Sequence, residues 1–392
     1  MSESESEPIP GTPDTPGLRR RTFFTGAAGI GLAAAVVRPP GWRPKVGAPH
    51  PAAWLPNTLT NQQLAGQRVI YSYPGTTPPS SLYTALSSGQ AAGVIFFGEN
   101  ISSESQIAGI IKKLRAAAAQ SPVKTPPLLM TDQEGGLVRR LPGAPTLSEK
   151  QVGASSNPVS AATTAGTGAG QNLAGVGMNV NLAPVLDVFY QSGNFIDQYQ
   201  RSYSNNPAVA AECGQAFITA QQATGVAATA KHFPGLGSAT ASQNTDSGPV
   251  TLNVSLTQLH TIDEVPYPPA ISAGVKLVMV SWAVYPALDP SLPAGLSPAI
   301  VGQELRGRLG FTGVTVTDAI EAGALTNFGT TGQRSVSAAQ AGMDLILCSA
   351  RDVTQGQAAT SALATALGNG TLDPTRFNDA ANRVFQLRSQ LF

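Results

Sequence analysis

The chain has 392 residues, 42% of them apolar and 12% charged, with 24 Lys and Arg against 23 Asp and Glu. So even a balance excludes a strongly electrostatic partner such as nucleic acid or an anionic membrane surface. The length would allow two or three average domains, but barrels and α/β folds of this size often form one unit, and we read one domain behind a leader.

Residues 1–18 are rich in Ser, Glu and Pro, a composition that favours disorder. Arg20-Arg21-Thr22-Phe23-Phe24 then precedes an apolar, small-residue run from Gly26 to Val37. Residues 1–37 therefore read as a disordered start plus a signal peptide of twin-arginine type, predicting a secreted or cell-envelope protein exported already folded. The run is shorter than the roughly 18–20 apolar residues that span a bilayer, and Pro39-Pro40 ends it, so no stable membrane anchor is expected. Ala33-Ala34-Ala35 is a candidate cleavage site, residues 38–56 read as a linker, and residues 57–392 as the folded domain.

From Pro56 onward, short apolar runs alternate with segments of helical spacing. The runs are Arg68–Tyr71, Gly93–Phe97, Pro127–Met130, Met178–Leu182, Val226–Ala230, Leu277–Ser281, Val314–Thr317 and Met343–Leu347. Eight such strands, with helices expected over Ser102–Ala119, Val159–Ala174, Ala208–Gln222 and Thr354–Leu367, predict an α/β fold of the (β/α)8 TIM type. A doubly wound open sheet is the competing architecture. Cys213 and Cys348 are expected as buried free thiols, a disulfide being the alternative in an exported protein. Neither has neighbours at metal-ligand spacing, so no metal is expected.

Polar or aromatic residues recur directly after the predicted strands: Asp132 after the third, Asp187 after the fourth, Lys231-His232 after the fifth, Trp282 after the sixth and Asp318 after the seventh. In a barrel these positions converge on the C-terminal rim, where active sites are assembled. Taken singly, each acidic residue could equally cap the following helix.

Several segments resemble the catalytic barrel of glycoside hydrolase family 3, within it the single-domain bacterial β-N-acetylglucosaminidases. They are Gly93-Val94-Ile95-Phe96-Phe97 through Asn100-Ile101, Asp132-Gln133-Glu134-Gly135-Gly136-Leu137-Val138-Arg139, Asn181-Leu182-Ala183-Pro184-Val185-Leu186-Asp187-Val188 through Arg201-Ser202-Tyr203, Lys231-His232-Phe233-Pro234-Gly235, and Leu296-Ser297-Pro298 through Val316-Thr317-Asp318-Ala319. The likeness implies that Asp318 is the nucleophile and that Asp132, Arg201, Lys231 and His232 hold sugar hydroxyls. A carboxylate suits that role because it can attack an oxocarbenium-like carbon and hold a covalent glycosyl intermediate.

A retaining enzyme also needs a group to protonate the leaving oxygen. The family pattern places a His at the positions of Leu236, Gly248 and Trp282 in this chain, and all three are missing together. Only His50, His232 and His260 exist, and His260 falls in Leu256–Asp263, read as a surface helix. Asp246 is then the first candidate acid/base, with Glu134 and Asp197 as lesser substitutes. Trp282 is a candidate for stacking on a pyranose ring, or else fills the space left by a histidine.

The resulting expectation is an exported, monomeric β-N-acetylhexosaminidase acting on terminal N-acetylglucosamine of cell-wall or chitin-derived fragments, with a small carbohydrate substrate and no cofactor. The alternatives are a catalytically impaired barrel that binds sugar or peptidoglycan fragments, and a β-glucosidase or phosphorylase-like enzyme with another acid/base arrangement.

Overall fold

The computed structural model describes residues 58–391. The signal-peptide reading at 1–37, the linker at 38–56 and His50 lie outside these residues.

Eight parallel strands close into a barrel. They are β1 (Val69–Tyr71), β2 (Gly93–Ile95), β3 (Leu128–Thr131), β4 (Val180–Asn181), β5 (Ala227–Phe233), β6 (Leu277–Val280), β7 (Val314–Ala319) and β8 (Leu345–Leu347). Each coincides with one apolar run expected from the sequence. Closure is made by β1 on β8, with Val69 paired to Ile346 and Ile70 to Leu347, which rules out the open sheet. Two strands run further than their apolar cores: β5 continues through Lys231-His232 and β7 through Asp318. Their ladders shift register between Ala230 and Phe233 and between Val316 and Ala319. The polar residues at these ends are therefore part of the barrel rim itself rather than of free loops.

The barrel interior is filled by alternate strand residues, among them Ile70, Ile95, Leu128, Met130, Val180, Leu277, Met279, Val316 and Leu345, all nearly devoid of solvent contact. Val384 and Leu387 of the C-terminal helix Pro374–Gln390 join this cluster. Arg388 of the same helix is buried and donates to the carbonyls of Pro126 and Thr125. The helix thus stops the lower end of the barrel.

The covering helices begin where the sequence supplies side-chain caps. Ser103 caps Glu104–Ala118, Asn157 caps Pro158–Val176, Asn206 caps Pro207–Gln222 and Asp352 caps Val353–Gly368. Ile107, Ile110, Ile111 and Leu114 form the buried stripe of the first of these. The expected surface helix at Leu256–Asp263 is instead one α-helical turn, Leu256–Gln258, that widens into π-type turns over Leu259–Asp263. Its Leu259 and Asp263 are buried, and His260 pairs with Glu304 at 2.8 Å rather than facing solvent freely. Cys213 and Cys348 are both buried free thiols. Burial pushes the Cys213 thiol up to about 12, so it is not a nucleophile at neutral pH.

Candidate active site

The C-terminal rim surrounds a cavity of about 510 Å³ lined by residues from nearly every strand end. Asp132, Arg201, Lys231, His232, Asp246 and Asp318 all face it. A second depression, of about 620 Å³, lies at the opposite end of the barrel beside Lys276 and Val314, where β6 and β7 begin, and holds none of these groups.

The floor is a buried charge network. Lys231 Nζ lies 2.8 Å from Asp132 Oδ1 and 2.7 Å from Glu134 Oε1. Arg201 binds Glu134 through two parallel bonds, Nε to Oε2 at 3.0 Å and Nη2 to Oε1 at 2.9 Å. Burial alone would push the Glu134 carboxyl up, but the Arg201 and Lys231 charges hold it at about 2. Lys231 is raised in turn: its own burial acts downward and is outweighed by Asp132 and Glu134. Glu134 is therefore an ionised anchor and has no proton to donate. Behind it sits Glu149, whose carboxyl accepts from the Val185 amide at 2.9 Å. Burial, followed by the negative charge of Glu134, pushes Glu149 well up.

His232 is oriented from beneath. Its Nδ1 is 2.7 Å from Asp187 Oδ2, and Asp187 Oδ1 accepts from the amides of Leu236 at 2.7 Å and His232 at 3.3 Å. A carboxylate only accepts, so Nδ1 carries the proton in this pair, and Nε2 is left toward Arg201 Nη2 at 3.5 Å. The peptide bond between Lys231 and His232 is cis.

Over this floor stand carboxylates that lack such neutralisation. Asp318, half-buried at the end of β7, accepts from the amide of Ala319 at 2.8 Å. Asp246 comes from the long loop after β5. That loop is pinned to the loop after β7 by two backbone bonds of 2.9 Å, Gly323 N to Asp246 O and Ala324 N to Thr245 O. A Cβ at Gly323 would lie 2.5–2.8 Å from the backbone of Ser247 and Asp246, so this contact requires glycine. The Asp246 carboxyl is pushed up to about 6 by burial and by the charge of Asp318, with a smaller push from Glu321, against a downward pull from His232 and Arg201. As a residue Asp246 keeps an exposed side at the lip.

Six of the seven residues expected from the sequence thus line one cavity. Trp282 does not: it is 1% exposed, its Nε1 donates to Ala319 O at 2.9 Å, and its ring is packed against Gly295. The expected stacking surface at Trp282 is corrected accordingly, because the indole turns into the wall and supports the backbone beside Asp318. Asp197 is held by Lys150 at 2.7 Å and by the Gly193 amide at 2.7 Å, away from the cavity lining.

Sequence reading missed Glu321, Arg140, Arg351 and Tyr199, all of which line the cavity. Glu321 is held by Ser349 Oγ at 2.6 Å and Gln355 Nε2 at 2.9 Å. Arg351 pairs with Glu99 at 3.1 Å and lies over the Phe97 ring at 4.4 Å. Position alone could have flagged Glu321, three residues after Asp318, and Arg351, just beyond β8; Tyr199 carries no comparable signal. His260, Glu264 and Glu304 bring ligand atoms within 4.8 Å of one another, but Arg308 reaches both carboxylates and already neutralises them.

The family model for the glycosyl hydrolase family 3 N-terminal domain matches residues 63–387. An uncharacterized secreted glycosyl hydrolase of Arthroderma benhamiae is 49% identical over 329 residues, covering 83% of this chain and 93% of its own. The solved family 3 β-N-acetylglucosaminidase of Paenibacillus sp. superposes with a TM-score of 0.80 at 33% identity, over 85% of this chain. This chain spans 63% of that longer protein. The β-N-acetylhexosaminidase of Beutenbergia cavernae gives a TM-score of 0.75 at 31% identity, over 83% of this chain and 97% of its own. With a matched family model over almost the whole described barrel, and relatives of this similarity, the chain belongs to glycoside hydrolase family 3.

Proposed function

We propose that this glycoside hydrolase is a retaining β-N-acetylhexosaminidase that releases terminal N-acetylglucosamine from cell-wall or chitin-derived fragments. The observation that carries the reading is the pairing, in one cavity, of two un-neutralised carboxyls, Asp246 and Asp318, above a floor of fixed polar groups. The choice of sugar is supported by the relatives named for hexosaminidase activity. Export is supported by the description of the Arthroderma benhamiae relative as secreted, and the twin-arginine-type segment is our reading of its route.

The chemistry follows from the electrostatics. Asp132, Lys231, Arg201 and His232 orient the hydroxyls of the terminal sugar, and their mutual pairing keeps them in place before substrate arrives. Asp318 attacks the anomeric carbon while Asp246, held up at about 6, protonates the departing oxygen. Once Asp318 is esterified to the sugar its negative charge is gone, and the Asp246 carboxyl falls toward its ordinary value. That change turns Asp246 from an acid into a base, ready to take a proton from the water that hydrolyses the intermediate. Two displacements at the same carbon give net retention.

The test is hydrolysis of 4-nitrophenyl N-acetyl-β-glucosaminide and of chitobiose, with an Asp318→Ala control. Turnover of both, abolished in the variant, is the expected result. A folded protein that binds the sugar and turns over neither substrate would overturn the catalytic reading in favour of a binding protein.

A further inference from the structure

We propose that Tyr199 forms a subsite for the leaving group, where its ring stacks on a second pyranose. Of the large apolar side chains exposed among the described residues, Tyr199 alone both is aromatic and lines the cavity, with 47% exposure. Trp282 is buried, and Arg351 covers Phe97, so neither offers a comparable face.

Single exposed apolar residues are ordinary on a protein surface, so position and rigidity must carry the argument. The Tyr199 ring is held edge to face by the buried Phe195, at 6.1 Å and 81° between planes. The turn Asp197–Tyr199 is fixed through buried Asp197 by Lys150 and Gly193 N, and Gln200 is tied to Ser148 Oγ at 3.0 Å. Arg201 of the floor follows directly, so the ring has a defined place relative to the bound sugar. An aromatic held in this way loses little freedom when a ring lands on it.

The side of the scissile bond follows from the loops. A proton donor must face the leaving oxygen, so the lip that carries Asp246 is the lip on the leaving-group side. The segment bearing Tyr199 is laced to the Asp246 loop by Tyr190 N to Gly237 O at 2.9 Å, Asn194 Nδ2 to Gly237 O at 2.6 Å, Phe195 N to Ala239 O at 3.2 Å and Gln198 Nε2 to Ala241 O at 3.0 Å. Tyr199 therefore borders the leaving group. Its ligand is the apolar face of a pyranose linked to the sugar in the floor, which makes a disaccharide or longer glycan the preferred substrate. This inference rests on the amino-sugar reading above.

Binding is measured calorimetrically on the full chain carrying Asp318→Ala, which leaves chitobiose intact, with and without Tyr199→Ala or Tyr199→Phe. The expected result is a chitobiose Kd weakened roughly fivefold by Tyr199→Ala, a Kd for free N-acetylglucosamine that stays the same, and near-complete rescue by Tyr199→Phe. Equal effects on the two sugars, or none on chitobiose, would overturn the subsite while leaving the floor intact. Binding of neither sugar by the Asp318→Ala protein would overturn the amino-sugar reading and the subsite with it. Equal melting temperatures for the three proteins exclude a folding defect as the cause.

Discussion

The floor and the lip of the cavity treat the same chemical group in opposite ways. Glu134, in the floor, is surrounded by Arg201 and Lys231 and is held at about 2, whereas Asp246, on the lip, is pushed up to about 6 by burial and by the charge of Asp318. Burial pushes both carboxyls up; at Glu134 the neighbouring cations outweigh it, whereas at Asp246 the charge of Asp318 adds to it. The difference divides the labour: groups whose charges are already matched are fixed and bind, and Asp246, raised by burial and the charge of Asp318, retains a proton to exchange.

The largest effect expected from breaking this division is at Asp318. Asp318→Ala removes the attacking group and should lower kcat for 4-nitrophenyl N-acetyl-β-glucosaminide by on the order of 10⁴-fold, read by released nitrophenol, with the fold retained by circular dichroism. Asp246→Asn should lower kcat for chitobiose by about 10²–10⁴-fold but affect the aryl glycoside much less, because nitrophenol leaves without protonation.

In the floor the cost falls on stability. Glu134→Gln leaves Arg201 and Lys231 buried without their shared anion and should destabilise the fold by about 3–5 kcal/mol in urea titration. Because folding lowers the Glu134 carboxyl from 4.5 to about 2, its contribution is fully present above pH 4.5 and is lost as pH falls toward 2. The variant should lack that part of the acid sensitivity. The smallest effect is at Glu321, whose charge helps keep Asp246 protonated. Glu321→Gln should move the alkaline fall in kcat/KM to lower pH while leaving the melting temperature near that of the parent.

The barrel was legible in the chain because every strand is an apolar run and the principal helices begin at side-chain caps. The cavity was legible because Asp132, Lys231-His232 and Asp318 sit at strand ends, where topology alone brings them together. What failed has a geometric cause. Trp282 also follows a strand, yet its side chain turns toward Gly295, and nothing in one-dimensional spacing distinguishes the wall of a barrel from its mouth. Tyr199 lies in an irregular segment whose place depends on bonds to Gly237, Ala239 and Ala241 across another loop. The raised Asp246 carboxyl likewise depends on Asp318, 72 positions away in sequence by numbering, being a neighbour in space.

The pH dependence of kcat/KM for chitobiose, compared between the parent protein and Asp246→Asn, tests the account at its centre. Since the donor must be protonated, the parent should lose activity as pH rises through about 6, and the variant should lose both that limb and most of its turnover. Chitobiose hydrolysis at parental rates in Asp246→Asn, with the same alkaline limb, would contradict the account.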